Sequence, residues 1–401
     1  MGRIKVLENI IRHYAWGSPT AIPELLNISS PSGRPCAELW MGAHPAAPSR
    51  VTDGETKVNL DRFIRNHPND ILGKRVADKF GDTLPFLFKV LAASEPLSIQ
   101  AHPDKNHARD GFARENRAGI PPGAPERNYR DPNHKPECIC ALTPFTALCG
   151  FRSPSEISDN MAVVIPGYED LSMPGTGKKA GSPELKDFFH KLLVIDPQKA
   201  NNIIARAVDE AVKRAETDPM CRWIIQLHRT YPDDIMVLAP VFMNLIELSP
   251  RQALFLPAGV LHAYLEGVGM ELMANSDNVL RGGLTPKHIA VAELLGALDF
   301  SPLPPRILSP VYREGCEGTY ETPAEEFVLS VMRVIPGRPC SPDHQDRVSI
   351  LLCLDGQAVL TDADSGEITT LTKGVSVLIP ASVSRWSLSG EALIYKASAT
   401  C

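Results

Sequence analysis

No run of about 18 apolar residues occurs in this 401-residue chain, so no membrane-spanning helix is expected. The start, Met1-Gly2-Arg3-Ile4-Lys5, lacks the apolar stretch of a secretory leader. Val6 stands where a myristoylation signal following Met-Gly wants Ser or Thr. The nine cysteines are odd in number and include no Cys-x-x-Cys pair, which argues against a structural zinc site built on cysteine. A reducing, cytoplasmic setting is expected. Positive charge is not in excess: 41 Lys and Arg face 47 Asp and Glu, for a net charge of −6, which argues against a nucleic-acid surface. A few basic residues in one pocket would still suffice for a small anionic ligand. A Gly-x-x-x-x-Gly-Lys-Ser/Thr nucleotide loop is also missing.

What is present fits a protein of two or three domains, since 401 residues exceed what one core usually supports. Residues 1–152 mix short β-rich runs with Pro and Gly punctuation, as in Ala37–Gly42 and Leu84–Leu91. A stretch rich in Arg, Pro and Gly over 109–133 reads as a long loop of the kind that serves as a functional lid. Residues 153–245 read as a helical insertion. Asp196-Pro197 is an N-cap with proline at the first helical position, and Ile203/Ile204, Ala207/Val208 and Ala211/Val212 then recur on one face. Glu184–Val194 and Met220–Thr230 are further helices. β character returns over 246–314, so the strands flanking the insertion are expected to share a domain.

Residues 315–401 carry short strand candidates at Phe327–Val334, Ser349–Leu354, Ala358–Thr361, Val375–Ile379 and Ala392–Lys396. Asp355-Gly356 and Ser365-Gly366 read as turns between some of them. An internal echo accompanies this pattern. Pro257-Ala258-Gly259-Val260-Leu261-His262 is matched by Pro380-Ala381-Ser382-Val383-Ser384-Arg385, and each follows an apolar strand. The second copy has Arg385 where the first has His262.

The first informative chemistry is Gln100-Ala101-His102, because residues i and i+2 of an extended segment face the same side. Glu137, between Pro136 and the apolar pair Cys138-Ile139, would be a costly buried carboxylate without a cation or strong donor. With His262 these residues offer two imidazoles, one carboxylate and one amide oxygen. That set suits Zn²⁺, with Mn²⁺, Co²⁺ or Fe²⁺ as substitutes, and leaves residual positive charge for Lewis-acid work. Taken singly, each histidine also reads as a hydrogen-bonded structural residue. His107 and His134 lie near the ligand segments, and His44 has no partner at ligand spacing. In Asn275-Ser276-Asp277-Asn278-Val279-Leu280-Arg281-Gly282-Gly283, the glycines let backbone approach a ligand. Arg281 reads either as an anion holder or as a surface arginine of a solvated loop.

Along its length the chain resembles the type I phosphomannose isomerases. The resemblance rests on Tyr14-Ala15-Trp16-Gly17, Ala37–Pro45, Pro85–Leu91, Pro96–Lys105, Asn133-His134-Lys135-Pro136-Glu137, Pro257–Gly267 and Asn275–Lys287. It implies a mainly β architecture of cupin-type jelly rolls: a metal-binding catalytic barrel with a helical insertion, and a C-terminal β-domain lacking the metal ligand. It implies one Zn²⁺ per chain on Gln100, His102, Glu137 and His262. It also implies interconversion of D-mannose 6-phosphate and D-fructose 6-phosphate, serving mannose metabolism and GDP-mannose supply. Arg281 matches the family's active-site arginine; Lys89, Ser98, Lys135, Glu271 and Asp277 match pocket positions.

Aldose–ketose isomerisation moves a proton between C1 and C2 through an enediol(ate), which needs a base and an oxyanion partner. Arg281 is expected to face the enediolate. The base is left among a hydroxide on the metal, Lys135 and Asp277, with Lys135 preferred because a cation held two residues away would depress its pKa. For the phosphate, Lys89, Lys105 and Arg152 are candidates. A monomer acting on a small sugar phosphate, with no nucleic-acid or membrane partner, is expected. The rival readings are a metal-binding cupin that senses sugar phosphate without turnover, and a cupin oxygenase, against which the Gln and Glu ligands argue.

Overall fold

The computed structural model describes residues 3–400 apart from 30–32, 168–181, 303, 314 and 343–345. The N-terminal β-sandwich is organised around one strand, His262–Ala274. It is buried at all but two of its thirteen positions. Its second half lies antiparallel between Phe86–Ala93 and Glu137–Ala141, while its first half pairs with Phe145–Phe151 and, through His262, with Gln100. The pairing shifts between Tyr264 and Glu266, and Gly267 follows with φ 124°. A Cβ on Gly267 would lie 2.6 Å from the Pro144 carbonyl, so the strand can bend from one layer to the other only at a glycine.

The helices occupy the gap between Phe145–Phe151 and Met243–Leu248, two strands that pair with each other and so return the chain to where it left. Three of the helices start on chemically explicit caps. Ser153 and Glu156 form a capping box on Pro154–Val164. Asp196 accepts from the Gln198 and Lys199 amides on Pro197–Val212, and Asp218 caps Pro219–Thr230. Ile203, Ile204, Ala207 and Ala211 are buried with Trp223, Ile224 and Leu227 and with Phe188 and Phe189 of Ser182–Leu193.

The C-terminal sandwich repeats the plan of the first. A four-residue strand, Ser376–Ile379, a turn, and a thirteen-residue strand, Trp386–Ser398, parallel Ala253–Leu256, its turn, and His262–Ala274. Trp386–Ser398 lies between Val328–Val334 and Ser349–Asp362, and Lys5–Val6 at the chain's start pairs with Ser376–Ile379. The two sandwiches pack back to back. Phe86, Phe88, Cys138, Cys140 and Leu272 of the first meet Tyr320, Leu329, Ile350, Leu352 and Tyr395 of the second. Cys140 Sγ is 3.1 Å from the Tyr320 hydroxyl in this seam.

Two local expectations are corrected, and a disulfide adds to what the sequence shows. Residues 109–117 are not loop but belong to the helix Lys105–Arg117, capped by Asp104; Gly111 lies against the Tyr129 ring, where a Cβ would come within 2.4 Å. Asp355-Gly356 is not a hairpin turn but follows a bulge at Leu354 inside the continuous strand Ser349–Asp362, where Gly356 pairs with Ala392. Cys316 and Cys340 form a disulfide, whereas Cys36, Cys138, Cys140, Cys149, Cys221 and Cys353 are free and buried.

The bulge yields a stability test. Gly356 has φ 75° and a Cβ there would sit 2.2 Å from the Glu391 carbonyl, whereas Gly366, with φ 71°, faces open space. Gly366→Ala is expected to cost about 1–2 kcal/mol for backbone strain alone. Gly356→Ala should cost at least about 1 kcal/mol more. Equal shifts of the two variants in urea unfolding would show that the close approach to Glu391 is not what requires glycine.

Candidate metal centre

Strand alternation brings the four ligand candidates together. Gln100 on Ile99–Ala101 pairs with His262 on one side and with Arg281 on the other. Glu137 opens Glu137–Ala141, opposite Leu256 and Met273. His102 lies just past the end of its strand, two residues from Gln100, and the Gly259 amide donates to its carbonyl at 2.8 Å. That bond ties the His102 segment to the turn leading into His262. The donor atoms of His102, Glu137 and His262 all lie within 4.8 Å of one another, and the three residues are 2%, 1% and 1% exposed.

The hydrogen bonds decide what this cluster can hold. His102 Nδ1 donates to the Asn278 carbonyl at 2.7 Å, and His262 Nδ1 donates to the Val260 carbonyl at 3.0 Å. Each ring therefore turns the lone pair of Nε2 inward, where it meets Glu137 Oε1 at 3.2 Å and Oε2 at 3.5 Å respectively. Acceptor faces acceptor, and His102 Nε2 is buried without a hydrogen-bond partner. Protonation is no remedy, since burial, with Lys135 adding to it, pushes the His102 imidazole down to about 4. A divalent cation satisfies all three groups at once. The Gln100 amide, 3.4 Å from His262 Nε2, can turn its oxygen inward as a fourth donor.

The surrounding charges form two connected groups. Lys135 Nζ is 2.9 Å from Glu137 Oε1, and the Tyr264 hydroxyl donates to Glu137 Oε2 at 3.4 Å. Burial pushes the Glu137 carboxyl up, yet Lys135 and His102 hold it well below the usual carboxylate range. Deeper in, Lys89 Nζ contacts Glu271 at 2.8 Å and Glu38 at 3.5 Å, and lies 5.3 Å above the Trp40 ring. Burial alone would pull the Lys89 ammonium toward neutrality; Glu271 and Glu38 outweigh it and raise its pKa. Burial raises the Glu271 carboxyl, against the pull of Lys89.

Lys89 and Glu271 therefore buttress the floor of the pocket as an ion pair. Ser98, half-buried, precedes the Gln100 strand, next to Leu97, whose amide donates to the Tyr264 carbonyl at 2.8 Å. Asp277 lies at the rim, where His44 Nε2 approaches its carboxylate at 3.4 Å and lowers its pKa. His134 and His107 are engaged elsewhere, with Glu326 at 2.7 Å and Asp104 at 2.9 Å.

Arg281, opposite Gln100, reaches a second cluster. A cavity of about 350 Å³ is lined by Arg130, Arg281, Lys287 and His288, with Pro125 and Glu126. Burial and then Arg130 lower the Arg281 pKa; Lys287 is lowered by burial and then by Arg281 and Arg130. Mutual repulsion of this kind marks a place built for an anion. Of the phosphate candidates read from sequence, Lys89 is locked in its ion pair. Lys105 is the exposed first residue of a helix, and Arg152 Nε donates to the Pro240 carbonyl at 3.3 Å.

Sequence reasoning missed His44, Arg130, Lys287 and Asn278. Asn278 is fully buried and joins the centre to the 130–133 segment. Its side chain accepts from the Arg130 amide at 2.7 Å and donates to the Asp131 and Asn133 carbonyls, each at 2.8 Å, while its own carbonyl holds His102.

Comparison with known proteins agrees with this geometry. A family model for the type I phosphomannose isomerase catalytic domain matches residues 4–154, and one for the mannose-6-phosphate isomerase cupin domain matches residues 317–397. The chain is 41% identical over 391 residues to mannose-6-phosphate isomerase of Salmonella typhimurium, covering 96% of each protein. It is 35% identical over 405 residues to that of Rattus norvegicus, covering 93% of this chain and 92% of the relative. It also resembles a crystal structure of the Salmonella typhimurium enzyme bound to fructose 6-phosphate and zinc. The TM-score is 0.89 at 38% identity, covering 99% of this chain and 100% of that one.

Asn278 supplies the prediction. Asn278→Ala keeps the carbonyl that holds His102 but releases the 130–133 segment, and is expected to weaken metal affinity about 10–100-fold. Competition with a chromophoric chelator measures it; an unchanged affinity would show that the carbonyl is held in place without the side chain.

Proposed function

The chain belongs to the type I phosphomannose isomerases, and on that premise we propose that it interconverts D-mannose 6-phosphate and D-fructose 6-phosphate with one zinc ion on Gln100, His102, Glu137 and His262. The observation that carries the reading is the buried His102 Nε2, an acceptor facing a carboxylate with no donor between them. Zinc bound there supplies Lewis-acid polarisation of the sugar's C1 and C2 oxygens.

The remaining work falls to the chain's own side chains. Arg130 and Lys287 bind the phosphate in the cationic cavity, and this orients the sugar with its reactive end toward Gln100 and His262. Arg281, between the cavity and the ligands, faces the negative charge that develops on the enediolate. A well-placed donor of this kind contributes about 2.7–4 kcal/mol. Lys135, in contact with Glu137, carries the proton between C1 and C2. Asp277 is the second candidate for that role, held at the rim by its contact with His44. Ser98 flanks the sugar, and the Lys89–Glu271 pair keeps the pocket floor rigid and polar.

The same reading divides the chain into a catalytic cupin domain of residues 1–152 and 246–314, an inserted helical domain of 153–245 and a C-terminal jelly roll of 315–401. The ladder joining Phe145–Phe151 to Met243–Leu248 supports the insertion. It also carries a monomer in a reducing cytoplasm. Six free buried thiols among the described residues support that setting and the Cys316–Cys340 pair runs against it. Light scattering, with and without reductant, tests both points.

Isomerase turnover is expected to disappear with a chelator and return with zinc. Turnover indifferent to chelation, in a protein that holds no metal, would overturn the ligand assignment. Lys135→Met should lower kcat by about 10²–10⁴-fold at full zinc content, while Asp277→Asn stays within about tenfold, short of the loss of a proton carrier. The reverse order of the two losses would move the proton to Asp277.

A further inference from the structure

The two sandwiches share more than a plan: their strand registers coincide residue by residue around the interior. In the first, Glu38 pairs with Leu91, Trp40 with Lys89, Lys89 with Glu271, Glu271 with Ile139, and Glu137 with Met273. In the second, Glu317 pairs with Met332, Thr319 with Ser330, Ser330 with Lys396, Lys396 with Leu351, and Ser349 with Ser398. Leu256 beside Glu137 corresponds in the same way to Ile379 beside Ser349. Glu317 thus holds the place of Glu38, Lys396 that of Glu271, and Ser349 that of the ligand Glu137.

The equivalent space is not filled with apolar side chains. A cavity of about 280 Å³ opens there, lined among others by Arg313, Glu317, Ser330, Arg347, Lys396 and Ser398. Lys396 is 4% exposed and its ammonium lies 2.7 Å from Glu317, so a buried ion pair recurs with the lysine moved one strand over. Hydroxyls add to the lining: Ser398 Oγ is 3.2 Å from the buried Ser349 Oγ behind it, and Ser330 Oγ is 3.4 Å from Thr319 Oγ1. Apolar residues would close such a space at lower desolvation cost. The metal corner is gone: Ser349 stands for Glu137, and exposed Arg385, the echo of His262, is paired with Asp364 at the surface. What is left is a hydroxyl-lined, ion-paired pocket with two arginines at its mouth, Arg347 and Arg313, the latter on the exposed carboxylate of Glu321 at 2.9 Å, which an incoming phosphate would have to displace.

We propose that this pocket is a second, metal-free binding site for a sugar phosphate. The phosphate would meet Arg313 and Arg347, and the sugar hydroxyls Lys396, Glu317 and the serines. The choice of ligand class rests on the isomerase reading of the first sandwich; the site itself rests on the register match and the buried polar lining.

Equilibrium dialysis of radiolabelled fructose 6-phosphate against the zinc-loaded full chain, with turnover measured on the same preparation, tests it. Two sites per chain are expected. The double variant Arg313→Ala/Arg347→Ala should weaken one site at least tenfold and leave kcat and KM unchanged. The side chain of Arg313 is 82% exposed and Arg347 is half-buried at the rim, so the double variant removes no core packing. One site per chain in the unmodified protein, or two sites that both ignore the double variant, overturns the inference. Two sites without turnover would instead remove the isomerase reading and leave this site standing.

Discussion

The carboxylate of Glu137, 1% exposed at the centre of the first sandwich, sets the terms for everything around it. Burying an unpaired carboxylate costs several kcal/mol. The chain answers with Lys135 from the segment before it and the Tyr264 hydroxyl from the strand across the site. The imidazoles add to the problem, since backbone carbonyls fix both rings with their lone pairs toward the same carboxylate. The arrangement is coherent only around a cation. Once that is accepted, the Gln100 amide, the Asn278 scaffold and the turn at Gly259 all have a common purpose, which is to hold donors at fixed positions before the ion arrives.

How much of this could be read from sequence follows from the range of each interaction. Gln100 and His102 were legible because a two-residue period decides their direction without any knowledge of partners. Glu137 was legible because its apolar flanks made burial unavoidable. His44, Arg130 and Lys287 were not, since their meaning comes from segments far away in the chain: Asp277 for His44, Arg281 for the other two. The phosphate candidates show the same limit. Lys89 has the right charge, but the partners that neutralise it, Glu271 and Glu38, lie on neighbouring strands that pair only in the folded sheet.

The architectural misreadings have a similar origin. Asp-Gly is the signature of a tight hairpin, but it equally supplies a positive φ beside a bulge. Only the partner strand Trp386–Ser398, running unbroken past Gly356, separates the two. The segment 109–117 looked like loop because Gly111 and the Pro- and Gly-rich residues that follow weaken a helical pattern. Its helix persists because Gly111 admits the Tyr129 ring and Asp104 caps its first turn. In both places tertiary contact overrides a local preference.

The second sandwich explains why the catalytic one can bury so much charge. Successive residues of a strand face opposite ways, so a polar interior at Lys89, Glu137 and Glu271 leaves only the alternate residues to build a core. Those residues, Phe86, Phe88, Cys138, Cys140 and Leu272, find their apolar partners on the back of the C-terminal sandwich. Fully burying a large apolar side chain is worth about 1.5–3 kcal/mol. The seam that Tyr320, Leu329, Ile350, Leu352 and Tyr395 complete therefore works against the cost of burying the Lys89–Glu271 pair and the Glu137 carboxylate. The same alternation acts on the partner. The C-terminal sandwich spends one face of its sheet on the seam and fills most of the other with its own apolar core, which includes Met332, Leu351 and Ile394, so that one end of its interior can stay polar around Glu317 and Lys396.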